Sequence, residues 1–251
     1  MRLARIVTVA GAALVAVGLL RVSAVNSEAS QNAPTKVHLP DDAAGLDAIV
    51  QALIAAYDQA DVVALGDWHG RINMDADLRL AARIRVLGGD PGPGDHRSRE
   101  TAAVAVLGEQ VLQKRGKALV IYGAAHFYRN FPTVMLPTMG DDIGLVRKLE
   151  ADYPGRTLVV IPMGPLDRPL AVTEDVVPDF GKFDRALRTP SRPVLVSLQQ
   201  LPFRDFKAEE FLGRTVTNCG GGRGCMSAFK GSTLTLGQLA DACIYIGGSA
   251  K

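Results

Sequence analysis

The chain has 251 residues, 47% of them hydrophobic, 22% charged and 6% aromatic, which excludes large-scale disorder and a collagen-like fibre. Its formal charge is +2, and three of its basic residues, Arg2, Arg5 and Arg21, lie in a 24-residue N-terminal stretch without an acid. The remainder has 25 basic against 26 acidic residues, so it offers no clustered basic face for counterion-release binding, and nucleic acid is excluded as an expected partner.

Arg2 and Arg5 precede residues 6–20, an apolar run whose only polar member is Thr8, and Val22-Ser23-Ala24 follows as a small-residue cleavage pattern. Residues 1–24 therefore read as a secretory signal peptide. A retained anchor is the alternative, since a bilayer-spanning helix needs about 20 apolar residues and the flanks can supply the difference. No cysteine follows the run, so attachment as a lipoprotein is excluded. The expected location is exported, whether periplasmic, secreted or N-terminally anchored, with membrane contact only through an uncleaved segment. Residues 25–40 open with the polar VNSEASQNAP and read as a linker, leaving 41–251 as the folded domain.

Leu46, Ile49, Val50, Leu53, Ile54 and Tyr57 follow helical spacing behind a possible cap at Asp41 or Asp42, predicting an amphipathic helix. Residues 61–66 (DVVALG) form a continuous apolar run ended by glycine, the pattern of a strand buried on both faces. The unit then repeats, with a helix near 74–82, a strand at 84–87, a helix near 98–114 closed by Gly116, and a strand at 118–122. A helix near 141–152, a strand at 157–161, a short helix near 180–187 and a strand at 193–198 continue it. A helix at 236–242 feeding a strand at 243–246 ends it. Such alternation predicts an α/β domain with a mostly parallel sheet and helices on both faces, and about 220 residues suit a single domain.

Two Gly-x-x-His tetrads stand where chemistry is expected. Gly66-Asp67-Trp68-His69 closes the first of these strands and Gly123-Ala124-Ala125-His126 closes the strand at 118–122. Ligands of open α/β sheets bind at the carboxyl ends of strands, where glycine lets the backbone turn or approach closely. Neighbouring strands lie about 4.8 Å apart, so adjacency would let both imidazoles reach one ion or one substrate atom, with Asp67 beside them. Two histidines and an acid suit a transition metal that activates water, or a metal-free site in which one histidine is a general base. The plain alternative is that each histidine only hydrogen-bonds a loop carbonyl.

A second cluster is the Gly/Pro turn 88–94 (GGDPGPG) followed by Asp95, His96 and Arg99. Asp90 lies at a strand's carboxyl end and Arg99 opens the next helix, from which a guanidinium can point into the same crevice. The turn lacks the Lys-Ser/Thr ending of a phosphate loop. A third cluster, Cys219-Gly-Gly-Gly-Arg-Gly-Cys225, can close a small disulfide in an exported protein, with Cys243 as a buried thiol.

The segments ALGDWHG (64–70), RVLGGDP (85–91), RETAA (99–103) and ALVIYGAAH (118–126), in that order, resemble the ChaN-like and Tiki/TraB haem-uptake superfamily, to which the erythromycin esterases are related. LADACIYIGG (239–248) resembles it more loosely. The resemblance implies that the positions of Asp67, His69 and His126 hold a metal or act on a bound substrate. Members are variously iron or haem binders, metal-dependent peptidases and esterases. Two departures stand out: Asp67 replaces the usual glutamate, and only residues 71–83 separate the first motif from the Gly-Asp-Pro strand, where the family places a long helical segment and a further strand ending in an acid. Thirteen residues just cover a crossover, which needs about a dozen, and leave no chain for a lid.

The expected function is a metal-assisted or His-dependent hydrolase acting on a small molecule or peptide, with His69 and His126 as ligands of a divalent transition metal, or one of them as base. Asp67 is then third ligand or orienter. The alternatives are a haem or iron binding protein of envelope uptake, with Tyr122, Tyr128 or a histidine as axial ligand and Asp90 and Arg99 lining the cofactor site, and a degenerate member with a structural role. Export is tested by N-terminal sequencing of the secreted or periplasmic protein, which is expected to start near Val25; an intact Met1 on a cytoplasmic protein would refute it.

Overall fold

The computed structural model describes residues 5–9, 13–17, 38–39, 43–67, 87, 98–132, 144–164, 180–212, 229 and 231–247. The helix expected at 74–82, all but Leu87 of the strand at 84–87, the turn at 88–94, and Cys219 and Cys225 lie outside these residues. Arg5–Val9 and Ala13–Val17 are extended and pair antiparallel with one another. Among the described residues, no helix is long and apolar enough to cross a membrane. The fold that follows is α/β with a mixed sheet, and it comprises two compact units.

The first unit takes in residues 53–128 and 142–161. Its centre is β2 (Val62–Asp67), which pairs in parallel with β3 (Ala118–Gly123) on one side and β4 (Thr157–Met163) on the other. Val62, Val63, Ala64, Ala118, Val120, Leu158, Val159 and Val160 are completely buried, as unbroken apolar runs in a doubly covered sheet should be. Asp61 fixes the register: its amide donates to Arg156 O and its carbonyl accepts from Ala118 N, at 2.9 and 2.8 Å. Its carboxylate accepts from Lys117 Nζ at 2.8 Å and from Arg156 Nε.

Helix α2 (Arg99–Leu107) starts at Ser98, whose Oγ accepts from Thr101 N at 3.3 Å, and buries Ala102, Ala103, Val104 and Leu107. The expected continuous helix to Lys114 instead widens into a π-helical turn at Gly108–Leu112. A Cβ on Gly108 would stand 2.9 Å from the Tyr153 hydroxyl, so glycine permits that close approach. Helix α3 (Leu145–Asp152) begins later than the spacing indicates, behind Gly144 at φ 93°, a conformation that favours glycine.

The second unit takes in residues 40–52, 129–141 and 162–251. The sheet is mixed and mostly parallel, and antiparallel pairs fall here: β5 (Val194–Ser197) pairs antiparallel with β6 (Ala242–Tyr245) and with the two-residue β1 (Ala43–Ala44). The short helices are α4 (Phe180–Ala186), α5 (Glu209–Leu212) and α6 (Leu236–Leu239), the last ending earlier than expected. Phe180, Phe183, Phe203, Phe206, Phe211 and Tyr245 are buried together, with ring centroids 4.6–6.2 Å apart in the contacting pairs. Cys243 is a fully buried free thiol in β6, as the sequence indicates, and burial pushes its pKa up.

Helix α1 (Leu46–Ala56) forms where expected, but its buried face is rotated. Ile49, Ala52 and Ala56 are buried, whereas Leu46, Val50 and Ile54 are exposed. A spacing rule that counts only large apolar residues gives alanine no weight, and alanine holds two of the three inward positions.

Phe183 is fully buried and touches four other rings of the aromatic cluster. Phe183→Ala is expected to lower the unfolding free energy by about 3–5 kcal/mol, read as a reduced denaturant midpoint. A loss below 1 kcal/mol would show that the cluster is not a stabilising core.

Candidate functional site

The site lies at the carboxyl edge of β2 and β3. Their parallel register sets Gly66 opposite Tyr122 and Asp67 opposite Gly123, so the two glycine-ended strands are direct neighbours and finish level. Beyond Gly123 the chain makes a 3-10 turn at Ala124–Phe127, anchored by fully buried Phe127, and this turn carries His126. Asp67 is the last residue of β2. Its side chain, His69 and Asp90 lie outside the description.

His126 Nδ1 lies 2.6 Å from Glu100 Oε1. The histidine side chain is 32% exposed and the glutamate 11%. Glu100 is in the first turn of α2, where a negative charge is favoured by the exposed amides and the helix dipole. Tyr122 meets the imidazole edge-on at 4.5 Å between ring centroids, and the Arg99 guanidinium lies 5.7 Å from the Tyr122 centroid. Arg99 is the first residue of α2, at the helix opening where the sequence places it, and is exposed.

Tyr122 and Tyr128 are both buried, and burial pushes the Tyr128 hydroxyl up to about 12. A phenolate ligand would have to form against that shift. Among the described residues, no group of three or more His, Cys, Asp or Glu side chains is gathered as a ligand set. Of the expected trio His69, His126 and Asp67, only the His126 side chain is described. Its environment suits a ligand or a base: a ring tied at Nδ1 to a carboxylate has Nε2 left to accept a proton or coordinate an ion.

The structure therefore sets His126 between Tyr122 and Glu100, with Arg99 over Tyr122, and Glu100 is an acid that no sequence motif marks. Glu100 sits inside the RETAA segment, beside Arg99, and no periodicity marks it. Its signal is positional, an acid in the first turn of a serine-capped helix; only the fold shows that it is buried rather than solvated.

The comparisons with family models, with curated proteins and with solved structures return no match.

The cap and the acid share one helical turn. Ser98→Ala is expected to cost about 1 kcal/mol and to raise hydrogen-exchange rates in residues 99–102 above those in the rest of α2. Unchanged stability together with unchanged exchange would show that the Ser98 hydroxyl does not hold this turn.

Proposed function

We propose that the chain is an exported hydrolase of the ChaN/Tiki type, with helices on both faces of its sheet and a site built from Asp67, His69 and His126. The observation that carries this reading is the parallel register of β2 against β3, which brings the ends of the two Gly-x-x-His strands side by side. His69 is two residues beyond Asp67 in the sequence. The substrate is a small molecule or a peptide.

His126 fits a divalent transition metal, because metal-bound histidines generally have their other ring nitrogen tied to a carboxylate, as Nδ1 is here to Glu100. Asp67, His69 and His126 would hold the ion, which when bound lowers the pKa of a coordinated water. The chain's own groups do the rest. His69 and His126 serve as the ion's ligands or, where no ion is bound, one of them is the general base; the Tyr122 ring meets the His126 imidazole edge-on, with the Arg99 guanidinium over Tyr122.

Metal analysis and an absorbance scan of the purified protein test this reading. One transition metal per chain is expected, lost in both His69→Ala and His126→Ala, with the melting temperature of the metal-free protein nearly unchanged. A Soret band would replace hydrolysis with haem binding, and protein containing neither metal nor haem, and inert toward ester and peptide substrates, would leave a structural role.

A further inference from the structure

In the reading above Glu100 enters only as the carboxylate beside Nδ1, yet its geometry also constrains what His126 does. A carboxylate this far from water is costly unless a donor meets it, and the His126 ring nitrogen at 2.6 Å is such a donor when it carries the proton. An imidazole has two tautomers. If the proton sits on Nδ1 it bonds Glu100, and Nε2 holds the lone pair; with the proton on Nε2, a bare Nδ1 faces carboxylate oxygen and the two lone pairs repel.

The placement is rigid from both sides. Glu100 belongs to a capped helix whose following residues Ala102, Ala103 and Val104 are buried. His126 belongs to a turn fixed by buried Ala124 and Phe127, with the Tyr122 ring edge-on at 4.5 Å.

From this we infer that Glu100 is a positioning residue, holding the His126 ring with Nδ1–H toward its carboxylate and leaving Nε2 for a proton or an ion. The role rests on the site proposed above for what Nε2 then does, but the tautomer is a property of the metal-free protein alone.

Nitrogen-15 NMR of ring-labelled, metal-free protein at neutral pH tests it, with His126→Ala supplying the assignment. The wild type is expected to show a protonated Nδ1 and a bare Nε2, and Glu100→Ala to move the proton toward Nε2. Glu100→Gln keeps the side-chain shape and serves if the alanine variant does not fold; its amide both donates and accepts, so it is expected to lower the Nδ1–H population. A wild-type ring protonated on Nε2 alone, a doubly protonated ring, or a tautomer unchanged in the folded variant would overturn the inference. Zinc(II) titration then separates it from the parent reading. Glu100→Gln is expected to weaken zinc binding about 10- to 100-fold. A wild type that holds Nδ1–H but binds no zinc refutes the metal site and leaves the positioning role intact.

Discussion

The structure depends on the register in which three parallel strands start, and Asp61 sets it. That residue stands immediately before β2; its carboxylate binds Lys117, immediately before β3, and Arg156, immediately before β4, and its backbone bonds Ala118, the first residue of β3, and Arg156. A slip of one residue would turn every side chain of a strand to the opposite face. Since the starts are level and β2 and β3 are both six residues long, their carboxyl ends are level too. Asp67 comes to lie opposite Gly123 for that reason alone.

The energy of this arrangement comes from elsewhere. The Asp61 pairs are partly exposed, with side-chain accessibilities of 21–34%, and such pairs are worth about 0.2–1 kcal/mol each. Burying one valine or leucine is worth about 1.5–3 kcal/mol, and Val62, Val63, Val120, Leu158, Val159 and Val160 are all completely buried. Apolar burial supplies the stability, and the ion pairs select one register among several that would bury nearly the same area.

What the sequence discloses follows the same division. Residues 61–66, 118–122 and 157–161 announce strands because a doubly covered strand has no polar face, and the observed strands match them within two residues. Antiparallel pairing of β5 with β6 and β1 is not legible, since pairing direction is decided by long-range closure and leaves no mark on a four-residue apolar run. The rotated face of α1 escapes for a local reason, the weight given to alanine. At the site, His126 and its neighbours Tyr122 and Arg99 can be found from motifs and strand ends. Glu100 cannot, because a first-turn acid looks identical whether it meets water or an imidazole.

Two acids in the first unit thus divide its labour. Asp61, at the amino edge of the strands, meets lysine and arginine, cations that stay charged at neutral pH, so its ion pairs are fixed and serve geometry. Glu100, toward the carboxyl edge, meets an imidazole, the side chain whose proton can leave or change nitrogen under the same conditions. The type of partner, more than the depth of burial, separates a structural carboxylate from one that can take part in chemistry. The sheet joins them: the register fixed at one edge by Asp61 carries Gly123 to the other, and the turn beyond Gly123 brings His126 to Glu100.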